Sequence, residues 1–159
     1  MKKSDGIKVK GMFRVQLTAQ GDDTKIVGDS GWHENQVTNL GFNQYLVSAL
    51  GSIAGSKYVS HAAIGTGGAP AAGDTALAGE QSVRAAVTAA TSSGSKTVRF
   101  TATFASSDAF VTASKNISNI GLFNTSEAAV GTLFAGNTYA SSACATNQNV
   151  NASYDIVFS

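Results

Sequence analysis

Apolar and polar side chains alternate along IKVKGMFRVQL near the start of the chain. Ile7, Val9, Phe13, Val15 and Leu17 share one parity, and Lys8, Lys10, Arg14 and Gln16 share the other. A period of two over that length predicts a half-buried strand, with Gly11 as a bulge or a close contact. Residues 21–31, GDDTKIVGDSG, predict a hairpin turn and a short returning strand around Ile26 and Val27. From Thr38 the apolar spacing changes to three and four. Phe42, Leu46, Ala49, Leu50 and Ile53 predict one helix near residues 39–52, capped by Thr38 or Asn39 and stopped by Gly51 or Gly55. YVSHAAIG then predicts a short strand that runs into a long Gly/Ala loop holding the only proline, Pro70. Further strands are expected over 81–91, 97–105, 117–123, 130–135 and 151–158. In the second of these Val98, Phe100, Ala102 and Phe104 point inward; in the last, Tyr154, Ile156 and Phe158 share a face.

Roughly seven to nine strands with one helix predict a mainly β fold, an antiparallel β-sandwich of jelly-roll or related two-sheet type. Alternating βα units are absent, which argues against a doubly wound parallel sheet. The 159 residues make one β-rich domain, with a possible N-terminal arm at 1–12. A chain of about 150 residues buries roughly two thirds of its unfolded surface, so no disulfide or metal is needed to hold it.

Composition sharpens this picture. The chain is 43% hydrophobic but only 13% charged, about half the usual ~25%. Small neutral residues occupy positions that Lys and Glu normally take, which suits a surface packed against neighbours. With 11 basic and 10 acidic residues no basic stripe marks a nucleic-acid partner. No run of about 18 apolar residues predicts a membrane span. MKKSDGIKVKG has two lysines but no apolar stretch after them, so no secretory signal is expected.

Candidate chemistry is thin. GTGGAP at 65–70 is glycine-rich, but phosphate loops need a following Lys, and Asp74 and Glu80 follow here. His33 and His61 lie on different segments without an acidic residue at ligand spacing. Asp22, Asp23 and Asp29 lack the spacing of a calcium loop. Cys144 is alone and reads as a small inert filler. No nucleophile elbow or Ser/His/Asp order stands out. The expectation is a non-enzymatic protein without cofactor or metal.

Three segments carry a resemblance: NQVTNLGFNQYLVSAL (35–50), AAIGTGGAPAAGDTALAGE (62–80) and ISNIGLFNT (117–125). In that order they resemble small structural proteins of tailed bacteriophages. There an N-x-V-T-N-x-G pattern precedes a helix, I-G-T-G leads to D-T-x-L-x-x-E, and I-x-x-I-G-L-F follows on a late strand. The block of Ile64, Gly65, Thr66, Gly67, Asp74, Thr75, Leu77 and Glu80 is its most specific part. The same pattern occurs in attachment regions of tail-collar fibre proteins and in stand-alone virion proteins. The late strand has Asn119 where the fibre-like pattern often has Glu.

The resemblance implies a virion structural protein, made and assembled in the host bacterial cytoplasm. A capsid decoration or cement protein is expected, because a fibre needs far more chain than 159 residues. A tail-tube, collar or fibre-adaptor subunit is the alternative. A receptor- or carbohydrate-binding module, with Trp32, Tyr58 and Tyr139 as stacking residues, is a further one. The expected partners are further copies of the chain, as a trimer, and other virion proteins such as the major capsid protein or tail proteins. The expected interface joins Lys2, Lys3, Lys8 and Lys10 on the arm to the loop residues Gly65, Thr66, Gly67, Gly68, Pro70, Asp74, Thr75, Leu77 and Glu80. Glycines there allow close backbone approach, and small residues lose little side-chain entropy on burial.

Overall fold

The structure, a computed structural model, describes residue 6 and residues 8–159. Among them the strands are β1 (Val9–Ala19), β2 (Asp22–Asp29), β3 (His33–Val37), β4 (His61–Gly65), β5 (Ala85–Ala86), β6 (Thr88–Ala90), β7 (Thr97–Phe104), β8 (Lys115–Phe123), β9 (Leu133–Cys144) and β10 (Asn149–Phe158). All pairings are antiparallel. The order across the sheet is β5-β4-β8-β9-β3-β1-β10-β7-β6, with β2 paired to β1 beside that path.

The two ends of this order, β5 and β6, are consecutive in the chain and separated by Val87 alone. Ala85 and Ala86 pair with β4, while Thr88, Ala89 and Ala90 pair with β7. Val87 N–H donates to the Ser60 carbonyl at 2.9 Å. One short segment therefore serves both ends of the sheet. The mainly β, antiparallel class expected from the alternation is present. The sheet, however, is nearly closed and barrel-like rather than clearly divided into two layers.

The core follows from the period-two pattern. Phe13, Val15 and Leu17 of β1, Phe100, Ala102 and Phe104 of β7, and Val150, Tyr154 and Ile156 of β10 are buried in one cluster. Their alternate neighbours face outward with paired charges. Arg99 forks onto Asp155 across β7 and β10, with Nε–Oδ1 at 2.7 Å. Arg14 of β1 likewise forks onto Asp29 of β2.

Residues 39–50 are helical, but Gly41–Val47 is a π-helix, followed by the α-helical turn Ser48–Leu50. Thr38 starts it as expected: its buried hydroxyl accepts the Gly41 N–H at 2.9 Å and donates to the Leu133 carbonyl at 2.6 Å. Of the expected face, Leu46 packs against the core but most of the rest does not. Gly41 and Tyr45 are buried, whereas Phe42, Leu50 and Ile53 are exposed. Bonding from i to i+5 in the π segment changes which side chains share a side. Tyr45 packs on Phe134, with ring centroids 5.1 Å apart, and its hydroxyl bonds to the Thr132 carbonyl.

Candidate functional site

Strands β4 and β8 are buried on both faces. Ala62, Ile64, Ile120 and Leu122 enter the main core. Ala63, Phe123 and Leu133, on the opposite side, form a second small core with Leu77. Leu77 belongs to the 66–79 loop, which folds back over the outside of the barrel as a flap. Burying that one side chain contributes about 1.5–3 kcal/mol.

The flap is held as an imperfect hairpin. Thr66 N–H donates to Gly79 O and Gly67 N–H to Ala78 O, each at 3.1 Å. Gln81 N–H donates to Ile64 O at 2.9 Å, and Gly65 bridges Glu80. Asp74 closes the tip: its carboxylate accepts the Ala71 N–H at 2.8 Å, and its own N–H donates to Ala71 O. Pro70 is buried, and Thr75 O accepts the Leu133 N–H at 2.9 Å. Ala72 O accepts the Asn39 N–H at 2.7 Å, which ties the flap to the start of the helix.

Asn119 of β8 joins the two arms. Its amide nitrogen donates to Gly68 O at 3.1 Å and to Ala78 O at 2.9 Å. Its Oδ1 faces Gly65 and makes no hydrogen bond. The Ser118 hydroxyl adds a bond to Gly67 O at 3.0 Å. The two N–H groups of one amide serve two carbonyls at this point, which a carboxylate would repel.

Glu80 and Arg84 fasten the return of the flap. Arg84 Nε lies 2.5 Å from Glu80 Oε1, and both side chains are nearly or fully buried. The same guanidinium donates to Thr125 O at 3.1 Å and Val130 O at 2.9 Å, and it stacks 3.6 Å above the Phe123 ring. A buried pair holds when its remaining donors are satisfied in this way.

These contacts place the expected interface residues. Pro70 and Leu77 point inward, and Glu80 is committed to Arg84. Gly65 and Gly67 serve close approach within the chain: a Cβ at position 67 would overlap the backbone of Ala78. Thr66, Gly68, Asp74 and Thr75 remain exposed, with Gly68 facing open space. Lys8 is exposed and pairs through its backbone with Ser159, while Lys10 sits 3.2 Å from Glu34. Lys2 and Lys3 lie outside the described residues.

The remaining candidates are dispersed. His33 stacks on Phe13 with its Nε2 at 2.7 Å from Ser30 O, whereas His61 Nδ1 meets the Ser60 hydroxyl at 2.9 Å. Burial and Arg84 push the His61 imidazole below its ordinary pKa. Asp22 caps Thr24, Asp23 meets Thr18 and Asn149, and Asp29 holds Arg14. Among the described residues no three potential ligands cluster as a metal site. No described helix is long and apolar enough to cross a membrane. Tyr139 packs edge-on against Phe13, so it does not share an exposed platform with Trp32 and Tyr58. No family model, curated protein or solved structure matches the chain.

Asn119 and Arg84 hold the flap alongside the glycines. A single Asn inside the apolar run ISNIGLF is the signal that marks the first. An Arg four residues after a Glu marks the second.

Proposed function

We propose that the chain is a non-enzymatic structural subunit of a tailed-phage particle, a capsid decoration or cement protein. One observation carries the proposal. The three segments that resemble virion proteins, far apart in sequence, meet as one unit: helix start, flap and β8 are bonded through Asn39–Ala72 and Asn119–Gly68/Ala78. Their side chains build a scaffold of backbone bonds, apolar anchors and one ion pair. The scaffold presents Thr66, Gly68, Ala69, Ala71, Gly73, Asp74, Thr75 and Ala76 to solvent. Small residues on a fixed frame suit close packing in a particle, since little side-chain entropy is lost on contact.

The runner-up is a tail, collar or fibre-adaptor subunit, which the same scaffold serves equally. Quantitative mass spectrometry of purified particles from lysates of the encoding strain separates the two. On the order of hundreds of copies per particle supports decoration, and roughly three or six, as in a closed ring, supports the adaptor. A chain absent from particles overturns both.

A further inference from the structure

The helix leaves a large apolar surface beside a cleft. Leu50 is 92% exposed, Tyr58 75%, Val47 65%, Ile53 58% and Phe42 40%. Together these five offer on the order of 500 Å² of apolar area, comparable to the largest patch on a typical monomer. Between helix and barrel lies a cleft of about 190 Å³, walled by Leu46, Ala49, Lys57, Tyr58, Val98 and Phe158. Its volume admits a branched aliphatic side chain, since a cavity of about 150 Å³ already takes benzene.

We propose that this helix end pairs with the same surface of a second copy of the chain, Leu50 of each entering the cleft of the other. Three observations favour a second copy over a different partner. The surface carries both a protruding side chain and a recess, which is what an isologous contact requires. From residue 35 to residue 73 the sole charged side chain is Lys57, which lines the cleft; its stem can lie along the apolar wall with the ammonium in water, and the surface otherwise offers no charge that selects an oppositely charged partner. With about 500 Å² from each copy the contact would bury on the order of 1,000 Å² in total, the lower end of specific interfaces. The helix touches the flap at Asn39, at its other end. This contact is therefore separate from the one proposed for the particle and does not rest on it.

Sedimentation velocity on the purified full chain from about 1 to about 100 µM, where interfaces of this size associate, reads the outcome as mass. The wild-type chain is expected to pass from 16.2 kDa to a dimer. Leu50→Asp should shift dissociation at least tenfold toward monomer with unchanged circular dichroism and melting temperature. Ala49→Phe, which fills the recess, should do the same. Leu50→Cys/Tyr58→Cys should give a covalent dimer on oxidation, because each new thiol meets its counterpart across the contact. A wild-type chain monomeric throughout, or one that associates only with a different protein, overturns the proposal. So does a dimer that survives both Leu50→Asp and Ala49→Phe. None of these outcomes depends on whether the chain enters a particle.

Discussion

The side chain of Asn35 on β3 lies across the backbone of Gly11 on β1, its opposite number in the register. A Cβ at position 11 would overlap the amide. From there the amide reaches over to donate to the hydroxyl of Tyr154, which is fully buried on β10. Gly11 is thus the gap through which β3 contacts the far strand. Gly11→Ala should cost about 1–3 kcal/mol in urea unfolding. Asn35→Ala strands the Tyr154 hydroxyl at a similar cost. The double variant should be no less stable than Asn35→Ala alone, because the collision has gone. Additive losses would show that the two residues do not interact.

Arg84 offers a larger effect. Arg84→Met leaves the Glu80 carboxylate buried without its partner and frees the Thr125 and Val130 carbonyls, a loss of about 3–5 kcal/mol. Adding Glu80→Gln should return part of that stability. Chemical denaturation checks both, and a single variant within about 0.5 kcal/mol of wild type would contradict the pairing.

Asn119→Glu removes both donations to the flap and sets a carboxylate against two carbonyls. Hydrogen exchange at the amides of residues 66, 67 and 81 should accelerate while the β1, β7 and β10 amides stay protected. Uniform exchange across the barrel would mean that the flap does not open as a unit.

Position 68, not position 67, tests the particle contact. Gly67→Arg collides with Ala78 and should disrupt the flap itself, whereas Gly68→Arg enters open space. Gly68→Arg should melt with wild type and fail to incorporate into particles; incorporation at the wild-type level would remove the flap from the interface.

Asp29 gives the pH dependence. The hydrogen bond from Arg14 holds its carboxyl well below the ordinary range, with help from Gly31 N–H and Gln16. A depressed folded-state pKa stabilises the fold above the unfolded value near 3.9, and the contribution fades as pH falls below it. Asp29→Asn should therefore melt below wild type at neutral pH, with the gap closing below about pH 4. A gap that is constant through pH 3 would exclude the ion pair as its source.

Period-two segments were the most legible part of the sequence. β1, β7 and β10 follow the parity of Phe13, Phe100 and Tyr154, because one face of each meets the core and the other meets solvent. β9 was legible only over its first part. Beyond Ala135 its residues, GNTYASSAC, carry no apolar alternation, and pairing with β8 decides their conformation. The helix was visible but most of its face was not, because a spacing of three and four does not describe a π-helix. In the flap, the anchor Leu77 and the Glu80–Arg84 pair are local signals. The bonds from Asn119 to Gly68 and Ala78 join residues 51 and 41 positions apart, beyond the reach of any local pattern.

Closure through Val87 has a kinetic side. β10 sits between β1 and β7, so the first strand of the barrel has its longest partner in the last. Neither β1 nor β7 can hide that edge until residues 149–158 have left the ribosome. The chain must wait, largely unlatched, for its final strand, and non-local pairing of this kind is slow. Loss of that strand would leave two long edges of unpaired backbone N–H and C=O groups at once, the condition in which nascent chains aggregate.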